Sequence, residues 1–599
     1  MRKAELLQRS ERGSLPKSGF SDPRGIVTVA LLLLAACAPA APAVGGDWYV
    51  DFESGNDAAD GRSQASAWKR APGDKAATGR ASKQRLVPGD RVIFRAGVPY
   101  RGAIVLADSG SADRPITYTG LGWGEGLAVI DGADPVRSVR PCQSAADCGG
   151  AAQWQQLSRI EFTPPETARA VLYGEKGPYW LSQLPELADP FFRNERDRFA
   201  RIPLAQLDNL KQGILVNSEL AAAAQSGGGM ELAFWVQPNL VVRRPLKSVD
   251  GDALHFDAEG LRFYENRDGA VALNGSFAGL GKPGSYVQLR PGVLVARLRP
   301  EDDARTLSIG SGRTGIDIND QSNIVITGFH FRNQTASPGR SREGRAVTML
   351  KRNSHNIEVS GSLFGPALLQ NGMGIVQISG GDGFRFVANR IENIAFGSGF
   401  RATSGKPRRV TVKGNVIRHI GATGIAMFGV TDGRIIGNVL ADIRGNHGNG
   451  ITAYLGNHGI RIEDNCVVAS RRPLTFHGDP KTDGRNDLVI RHNIFISSPD
   501  GQAAINSWGK QTRGVVIEGN LAVGPKLGIL LGKTDEDVVV RGNDAGRIAD
   551  RGIRRKDWAI TDNRTDLTLK DVEHGQFSEE SCHVPGTRIA PVTRWQADD

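Results

Sequence analysis

From Gly315 onward, short runs of alternating apolar and polar residues recur at a nearly constant period. Each run is rich in β-branched residues, as in "RVTVKG", "GIRIED" and "LVIRH", and leads to an asparagine. Successive asparagines are separated by 26, 23, 27, 28, 27 and 23 residues, at Asn389, Asn415, Asn438, Asn465, Asn493, Asn520 and Asn543. A second set of strand-like runs follows at a similar phase, including "GIVQIS", "GIAMFG", "GITAYLG", "PLTFHG" and "AINSWG". A period of this length with two or three strands predicts a solenoid.

The asparagine-punctuated period favours one solenoid class over two others. Leucine-rich repeats have a similar period but need a leucine consensus that is absent here, and propellers need longer units with antiparallel hairpins. We therefore predict an all-β protein, a right-handed parallel β-helix. Its asparagines are expected to stack at one turn, exchange amide hydrogen bonds and tolerate left-handed backbone geometry.

The chain before Gly315 is less regular, and it divides by composition. We predict a signal or lipoprotein peptide, a flexible tether, an N-terminal cap with the first coils, an inserted β-rich module, the regular β-helix and a C-terminal cap. The expected boundaries are 1–37, 38–46, 47–135, 136–307, 308–550 and 551–599.

The N-terminal segment predicts export. The apolar run "IVTVALLLLAAC" is too short for a comfortable membrane span, follows basic residues and ends in small residues. "LAAC" resembles a lipobox in which Cys37 is lipidated, and an ordinary signal peptide cut nearby is the alternative. Either segment directs the chain to the periplasm or, as a lipoprotein, to the outer membrane of a Gram-negative bacterium. Membrane contact is then expected only through that segment, and nucleic acid is not an expected partner.

Cysteine spacing agrees with an oxidising compartment. Cys142 and Cys148 in "PCQSAADC" are close enough to form a small-loop disulfide, whereas nothing in the sequence requires Cys466 and Cys582 to pair. No zinc-ligand spacing is present.

Side chains alternate along a strand, so aligning the second set of runs assigns their faces. The apolar residues that begin each alternation, such as Ile451, Leu474 and Ile505, then point inward. The outward positions form two columns on successive coils: Thr452, Thr475 and Asn506 in one, and Tyr454, His477 and Trp508 in the other. Such a polar and aromatic strip suits a linear polymer lying across the coils, with Trp508 either stacking on a sugar or packing under a loop.

The stretches "YVDFESGND", "DGRSQASAW" and "PGDRVIFRAG", together with the asparagine-punctuated coils, resemble carbohydrate-active right-handed parallel β-helix proteins, the pectate-lyase-like superfamily. The resemblance extends from about Gly46 to Asp544. It implies the fold and a polysaccharide substrate, but the superfamily includes both lyases and glycoside hydrolases, so the reaction must be argued from the site.

The strip favours a lyase that cleaves a uronate-containing polysaccharide by β-elimination, and the net charge of +10 suits an anionic substrate. The residues expected to be catalytic are Tyr454 for proton transfer, His477 as its partner or an alternative base, Arg472 for the uronate carboxylate, and His447. The expected substrate-binding residues are Asn449, Arg471, Asn506, Trp508 and Lys510. His458, in the turn after the strand, is expected to be structural, and we expect the protein to be a monomer.

Two other functions stay open. A glycoside hydrolase needs paired carboxylates, and the nearby acids are Asp317, Asp320, Asp442, Asp479 and Asp483. A non-catalytic glycan-binding surface protein would need no Tyr/His/Arg cluster. No cofactor is required by the sequence; Ca²⁺ is a weaker expectation, with Asp479, Asp483 and Asp487 as candidate ligands.

Overall fold

The computed structural model describes residues 45–599 with gaps. The residues outside the description are 1–44, 166–169, 187–198, 228, 238–239, 337–343, 350–352, 371, 404, 446–447, 480–484, 510–511, 551–555, 574–581 and 583–599. Cys37 and the export segment therefore lie outside the described residues. Within the described part, no helix is long and apolar enough to cross a membrane.

Three long parallel sheets run along the molecule, and each coil contributes a strand to sheet 1, then sheet 2, then sheet 3. The chain is thus an all-β right-handed parallel β-helix, as the repeat predicts. Sheet 1 consists of Asp47–Val50, Arg91–Phe94, Ile116–Thr119, Ser322–Thr327, His355–Ser360, Asp382–Val387, Thr411–Lys413, Arg434–Ile436, Arg461–Glu463, Arg485–Arg491, Arg513–Glu518, Glu536–Arg541 and Trp558–Thr561.

Sheets 2 and 3 complete the coils. Sheet 2 consists of Pro99–Tyr100, Ala128–Asp131, Phe329–Arg332, Gln334–Thr335, Leu363–Phe364, Ala367–Leu368, Arg390–Ala395, Val416–Ile420, Val439–Ile443, Cys466–Ser470, Ile494–Ser497, Leu521–Val523 and Asp544–Ala545. Sheet 3, which carries the candidate site, consists of Ile104–Val105, Ile316–Ile318, Val347–Met349, Gly374–Ile378, Ser398–Ala402, Thr423–Phe428, Asn449–Tyr454, Arg472–Phe476, Ala503–Ser507, Leu527–Leu530 and Ile548–Ala549.

The interior of the coils is a continuous apolar core. Alternate side chains of each strand point inward, as in Ser322–Thr327, where Ile324 and Ile326 are buried and Val325 is only partly buried. Equivalent inward residues stack from coil to coil, and the rings of Phe331 and Phe364 lie 4.9 Å apart and nearly parallel. This stacking explains why strands of only two to seven residues suffice: each is held by neighbouring coils.

The chain leaves the solenoid between the sheet 2 strand Ala128–Asp131 and the sheet 3 strand Ile316–Ile318. The segment between them, here called the insertion, forms four separate and mostly antiparallel sheets with their own apolar clusters. Its strands are Ala133–Pro135, Ser138–Pro141, Ser158–Glu161, Leu172–Gly174, Gly177–Pro178, Trp180–Leu181, Gln183–Leu184, Ala200–Ile202, Ile214–Val216, Glu231–Gln237, Leu240–Pro245, Ser248–Asp250, Ala253–His255, Gly269–Asn274, Ser285–Arg290, Val293–Arg297 and Ser308–Gly310. Helices are short: Leu207–Lys211 and Ser218–Ala224 in the insertion, and Leu569–Glu573 near the C-terminus.

The insertion packs against sheet 2 and the turn that leads from sheet 2 into sheet 3. The hydroxyl groups of Tyr173 and Thr335 lie 2.9 Å apart, and the rings of Trp180 and Phe396 lie 6.0 Å apart. Thr335 lies in the sheet 2 strand Gln334–Thr335, and Phe396 lies between the sheet 2 strand Arg390–Ala395 and the sheet 3 strand Ser398–Ala402. These contacts attach the insertion to the solenoid at the corner between sheets 2 and 3.

Both cysteine pairs form disulfides. Cys142 is bonded to Cys148, as the short spacing predicts, and Cys466 is bonded to Cys582. The second bond attaches the C-terminal segment to an apolar patch on sheet 2 that includes Val439, Val468 and Ile494.

The asparagine ladder is confirmed, and it extends one step beyond the predicted positions. From Asn389 to Asn543, each asparagine donates its backbone N–H and its side-chain Nδ2 to the Oδ1 atom of the next, and Asn563 accepts the last pair. Each ladder amide thereby forms hydrogen bonds with polar groups of the neighbouring coil. Because these buried groups are hydrogen-bonded, their burial costs little free energy.

The expectation that these asparagines adopt left-handed geometry is wrong. The residue before each one has the positive φ instead, with values between 53° and 63° at Ala388, Gly414, Gly437, Asp464, His492, Gly519, Gly542 and Asp562. The left-handed residue turns the chain, and the asparagine that follows can then direct its amide toward the next coil.

Replacing Ala388 with glycine should raise the free energy of unfolding by about 0.5–1 kcal/mol, because its φ of 53° is unfavourable for any residue with a Cβ atom. Ala388 is exposed, so little packing is lost with its methyl group. The reverse change, Gly414→Ala, should destabilise by a similar amount, because a Cβ atom there meets no other atom but the φ is +63°. Thermal and urea unfolding of both variants measures the difference; shifts of the same sign would contradict this account.

Candidate active site

The predicted alignment of the sheet 3 strands is confirmed by their pairing. Thr452 pairs with Thr475, and Thr475 pairs with Asn506. Ile451, Leu474 and Ile505 are fully buried in the core. The residues assigned to the outer face thus lie on one side of three consecutive coils. We call the outer face of the strands from Ile316–Ile318 to Ala503–Ser507 the sheet 3 groove.

Two aromatic residues and one histidine form a continuous series of ring contacts in this groove. Phe428 pairs with Tyr454 in the neighbouring strand, and their rings lie 5.7 Å apart. The ring of Tyr454 stacks on the imidazole of His477, with centroids 4.0 Å apart and an interplanar angle of 24°. The two residues predicted to transfer protons are therefore in direct contact.

Burial raises the pKa of the Tyr454 hydroxyl to about 12. Hydrogen bonding with Thr475, Trp508 and Asn449 and the positive charge of Arg472 each lower the pKa, but burial outweighs them. A phenol with this pKa keeps its proton throughout the neutral range. Tyr454 is consequently suited to donate a proton rather than to remove one.

His477 is buried, and its orientation is held by the backbone. Its Nδ1 atom lies 2.5 Å from the carbonyl oxygen of Gly478. A carbonyl oxygen can only accept, so Nδ1 carries the hydrogen and donates it, which leaves the lone pair of a neutral ring on Nε2. The arrangement fixes the tautomer that a general base requires.

Arg472 brings positive charge into the same part of the groove. Its guanidinium lies 5.1 Å from the ring centre of Trp508, and its Nε atom has no hydrogen-bond partner within the protein. Burial lowers the pKa of this guanidinium, and the nearby charge of Arg471 lowers it further. Trp508 remains 40% exposed, so its ring is not a buried cap and is accessible to a ligand.

The groove also contains amide oxygens without partners. The Oδ1 atoms of Asn449 and Asn506 are buried and accept no hydrogen bond from the protein. Asn449 donates through Nδ2 to the Thr452 hydroxyl, which lies 3.1 Å from that of Thr475. Buried polar groups are normally satisfied. Two unsatisfied acceptors beside Tyr454 and Arg472 are therefore the feature expected of a site for a ligand rich in hydroxyl groups.

The remaining predicted residues are placed less centrally. Arg471 forms an ion pair with Asp500 at 3.5 Å. His458, expected to be structural, contacts Asp487 at 3.2 Å, and Asp487 lies in a sheet 1 strand. His447, Lys510 and Asp483 lie outside the described residues. The described part of the chain contains no group of three or more acidic, histidine or cysteine side chains arranged to hold a metal ion.

Carboxylates are sparse along the groove. Asp317 is the acidic residue contributed by the sheet 3 strands, and it lies five strands from Tyr454. Asp442 lies in sheet 2, where its carboxylate contacts His419 at 2.6 Å and Arg444 at 2.8 Å. Asp479, half-buried two residues after His477, is the described acid nearest to the cluster in sequence.

Sequence reasoning missed the first half of the groove. Arg401 occupies the same outward column as Thr452 and Thr475, and its guanidinium lies 4.5 Å from the ring centre of Phe428. Aligning "GFRAT" with "GIAMF" would have revealed it, because Phe400 and Ile425 are equivalent inward residues.

Comparison with known proteins agrees with this architecture. Residues 373–545 match the family described as "Right handed beta helix region". A solved structure named "Glycoside hydrolase" is 13% identical, with 88% of this chain and 96% of that chain covered and a TM-score of 0.51. "The complex structure of XylC with xylose" is 11% identical, covering 88% and 84% of the two chains, with a TM-score of 0.45.

A third solved structure, named "Rhamnogalacturonan lyase", is 11% identical, with 87% of each chain covered and a TM-score of 0.33. No curated protein sequence matches the chain. At 13% identity, the likeness to the first of these structures shows a shared fold and does not show the reaction.

Proposed function

We propose that this protein is an exported polysaccharide lyase that cleaves an acidic, uronate-containing polysaccharide by β-elimination. The observation that carries the proposal is the contact of the Tyr454 phenol with the His477 imidazole, beside the unpaired Nε atom of Arg472. A uronate lyase needs a cation for the carboxylate, a base and an acid. The cluster supplies all three within one site.

Each residue has a distinct role in this mechanism. Arg472 binds the uronate carboxylate, which makes the adjacent C5 proton more acidic. The Nε2 atom of His477 removes that proton, and the electrons of the C5–H bond form the C4–C5 double bond. The C4–O bond breaks, and its oxygen takes the proton of the Tyr454 hydroxyl. Asn449 and Asn506 accept hydrogen bonds from sugar hydroxyls, and Trp508 stacks on a neighbouring sugar.

The carboxylate distribution supports elimination over hydrolysis. A hydrolase of the usual type places two carboxyl groups on either side of the scissile bond, roughly 5–9.5 Å apart. The sheet 3 strands Asn449–Tyr454, Arg472–Phe476 and Ala503–Ser507 contain no acidic residue. A hydrolase here would have to take both groups from loops, with Asp479 as one of them.

The cellular setting belongs to the same proposal. The apolar segment ending at Cys37 directs the protein to the periplasm or, through a lipid on Cys37, to the outer membrane. There the substrate is an anionic polysaccharide, and nucleic acid is not a partner. The net charge of +10 favours encounter with such a polymer.

The test incubates the purified mature chain with polygalacturonate, alginate and dermatan sulfate. Ultraviolet absorbance follows unsaturated uronates, and a parallel assay follows reducing ends. A lyase produces both signals in equal amounts. Reducing ends without absorbance would replace the proposal with hydrolysis, and binding without either signal would indicate a non-catalytic glycan-binding protein.

A further inference from the structure

We propose that Arg401 forms a second anion-binding site in the sheet 3 groove, which holds an acidic group on a sugar unit some distance from the unit that reacts. This inference rests on the proposed function only in taking the groove as the polymer-binding surface. It narrows the substrate to a chain that carries acidic groups on several sugar units.

The position of Arg401 places it in line with the candidate site. It lies in the strand Ser398–Ala402, three strands before Arg472–Phe476, and pairs with Gln377 on one side and Ala426 on the other. With strands about 4.8 Å apart, Arg401 and Arg472 are separated by about 14 Å along the solenoid axis. A Cβ atom at Gly374 would lie 2.7 Å from the Cβ of Arg401, so glycine there makes room for the arginine.

The charge of Arg401 lacks compensation by the protein. Its Nε atom is buried without a hydrogen-bond partner, and none of the described carboxylates forms an ion pair with it. Outward arginines elsewhere do have such partners: Arg385 pairs with Glu358 at 3.0 Å and Arg491 with Glu463 at 2.9 Å. Burying an uncompensated charge is costly. A charge retained under these conditions is expected to have a partner that is not part of the chain.

The electrostatic surroundings of Arg401 favour an anion. The buried guanidinium of Arg345 lies close enough for the charges of the two arginines to repel. Burial lowers the pKa of Arg401 to about 10. Burial and, to a smaller extent, this repulsion lower the pKa of Arg345 to about 10. Both remain charged at neutral pH. The Asp317 carboxylate offsets part of the charge of Arg345, whereas no carboxylate of the described residues acts in this way on Arg401, so a carboxylate or sulfate would relieve the uncompensated charge of Arg401.

Aromatic side chains connect the two cationic positions. The guanidinium of Arg401 lies over Phe428, Phe428 contacts Tyr454, and Tyr454 stacks on His477. Apolar ring faces between two cations suit sugar rings that carry acidic groups at intervals. Trp180 of the insertion contacts Phe396, two residues before the strand of Arg401 begins.

The experiment measures binding of polygalacturonate, alginate and dermatan sulfate by isothermal titration calorimetry, each against its carboxyl-reduced or desulfated form. We expect the wild type to bind at least one charged polymer more tightly than its uncharged counterpart. Arg401→Gln should weaken that binding by about tenfold or more, as expected for loss of a charge-assisted contact. Arg434→Gln, which removes an exposed charge from sheet 1, should weaken it by less than twofold.

Stability supplies a second readout. Because Arg401 lacks a protein ion pair, Arg401→Gln should leave the thermal midpoint unchanged or raise it. A lower thermal midpoint together with unchanged polymer affinity would make Arg401 a structural residue and overturn the inference. Equal affinity of the wild type for charged and uncharged polymers would also overturn it. The two proposals can fail separately. If Arg401→Gln binds the polymer more weakly but the wild type forms no unsaturated products, only the lyase proposal is contradicted. If the wild type forms unsaturated products but Arg401→Gln binds as tightly as the wild type, only the second site is contradicted.

Discussion

Replacing Tyr454 with phenylalanine should lower kcat for β-elimination by about 10²–10⁴-fold, the usual contribution of a positioned general acid. The substitution removes only the hydroxyl, so the ring can still stack on His477 and Phe428. Because the proposed sugar contacts of Arg472 and Trp508 are unchanged in this variant, KM should change little. Initial rates of unsaturated-product formation on the cleaved polymer give both constants.

Tyr49→Phe is the matched control. Tyr49 lies in the first strand of sheet 1, so this variant should leave kcat and KM unchanged.

The pH profile of the rate distinguishes a general acid from a general base. With a pKa of about 12, Tyr454 holds its proton, so the wild-type rate should not climb between pH 9 and 11 as a tyrosinate base would require. A Tyr454→Phe variant that kept more than a tenth of kcat would remove Tyr454 from the mechanism.

The sequence predicts those features of the site that follow from the alternation of side chains along a strand and from the repeat period. Alternation along a strand fixes which face Tyr454 occupies, and the repeat period places His477 and Asn506 on the next coils. These inferences need only the register of neighbouring coils, and the asparagines mark that register. Tyr454 comes directly after the inward residues Ile451 and Ala453, and His477 comes directly after their equivalents on the next coil, Leu474 and Phe476. The structure therefore brings the two side chains together.

Other features depend on contacts that periodicity does not encode. The left-handed residue before each ladder asparagine differs in type, with Ala388, Asp464 and His492 replacing glycine, so composition does not reveal it. The Cys466–Cys582 bond joins positions 116 residues apart, and a local pattern does not determine such a pairing. The lack of a carboxylate partner for Arg401 is visible only after the side chains around it are in place.

Replacing Asn465 with alanine should lower the free energy of unfolding by on the order of 3–5 kcal/mol, because several buried polar groups lose partners at once. The Asn465 Nδ2 atom donates to the carbonyl oxygens of Ile435 and Glu463 and to Asn493. Its Oδ1 atom accepts from the backbone and the side chain of Asn438. The side chain lies in the middle of the ladder and is fully buried, so water cannot replace these bonds without opening the turn.

Asn56→Ala provides the comparison, because Asn56 is exposed and its side chain accepts one local hydrogen bond, from the backbone of Ala58. That variant should change stability by no more than about 0.5 kcal/mol. Differential scanning calorimetry and urea unfolding of both variants measure the contrast. Since coils of a solenoid depend on their neighbours, Asn465→Ala should also broaden the transition as coils on either side of residue 465 lose their coupling. Equal midpoints for the two variants would mean that the stacked apolar core, rather than the ladder, holds adjacent coils together.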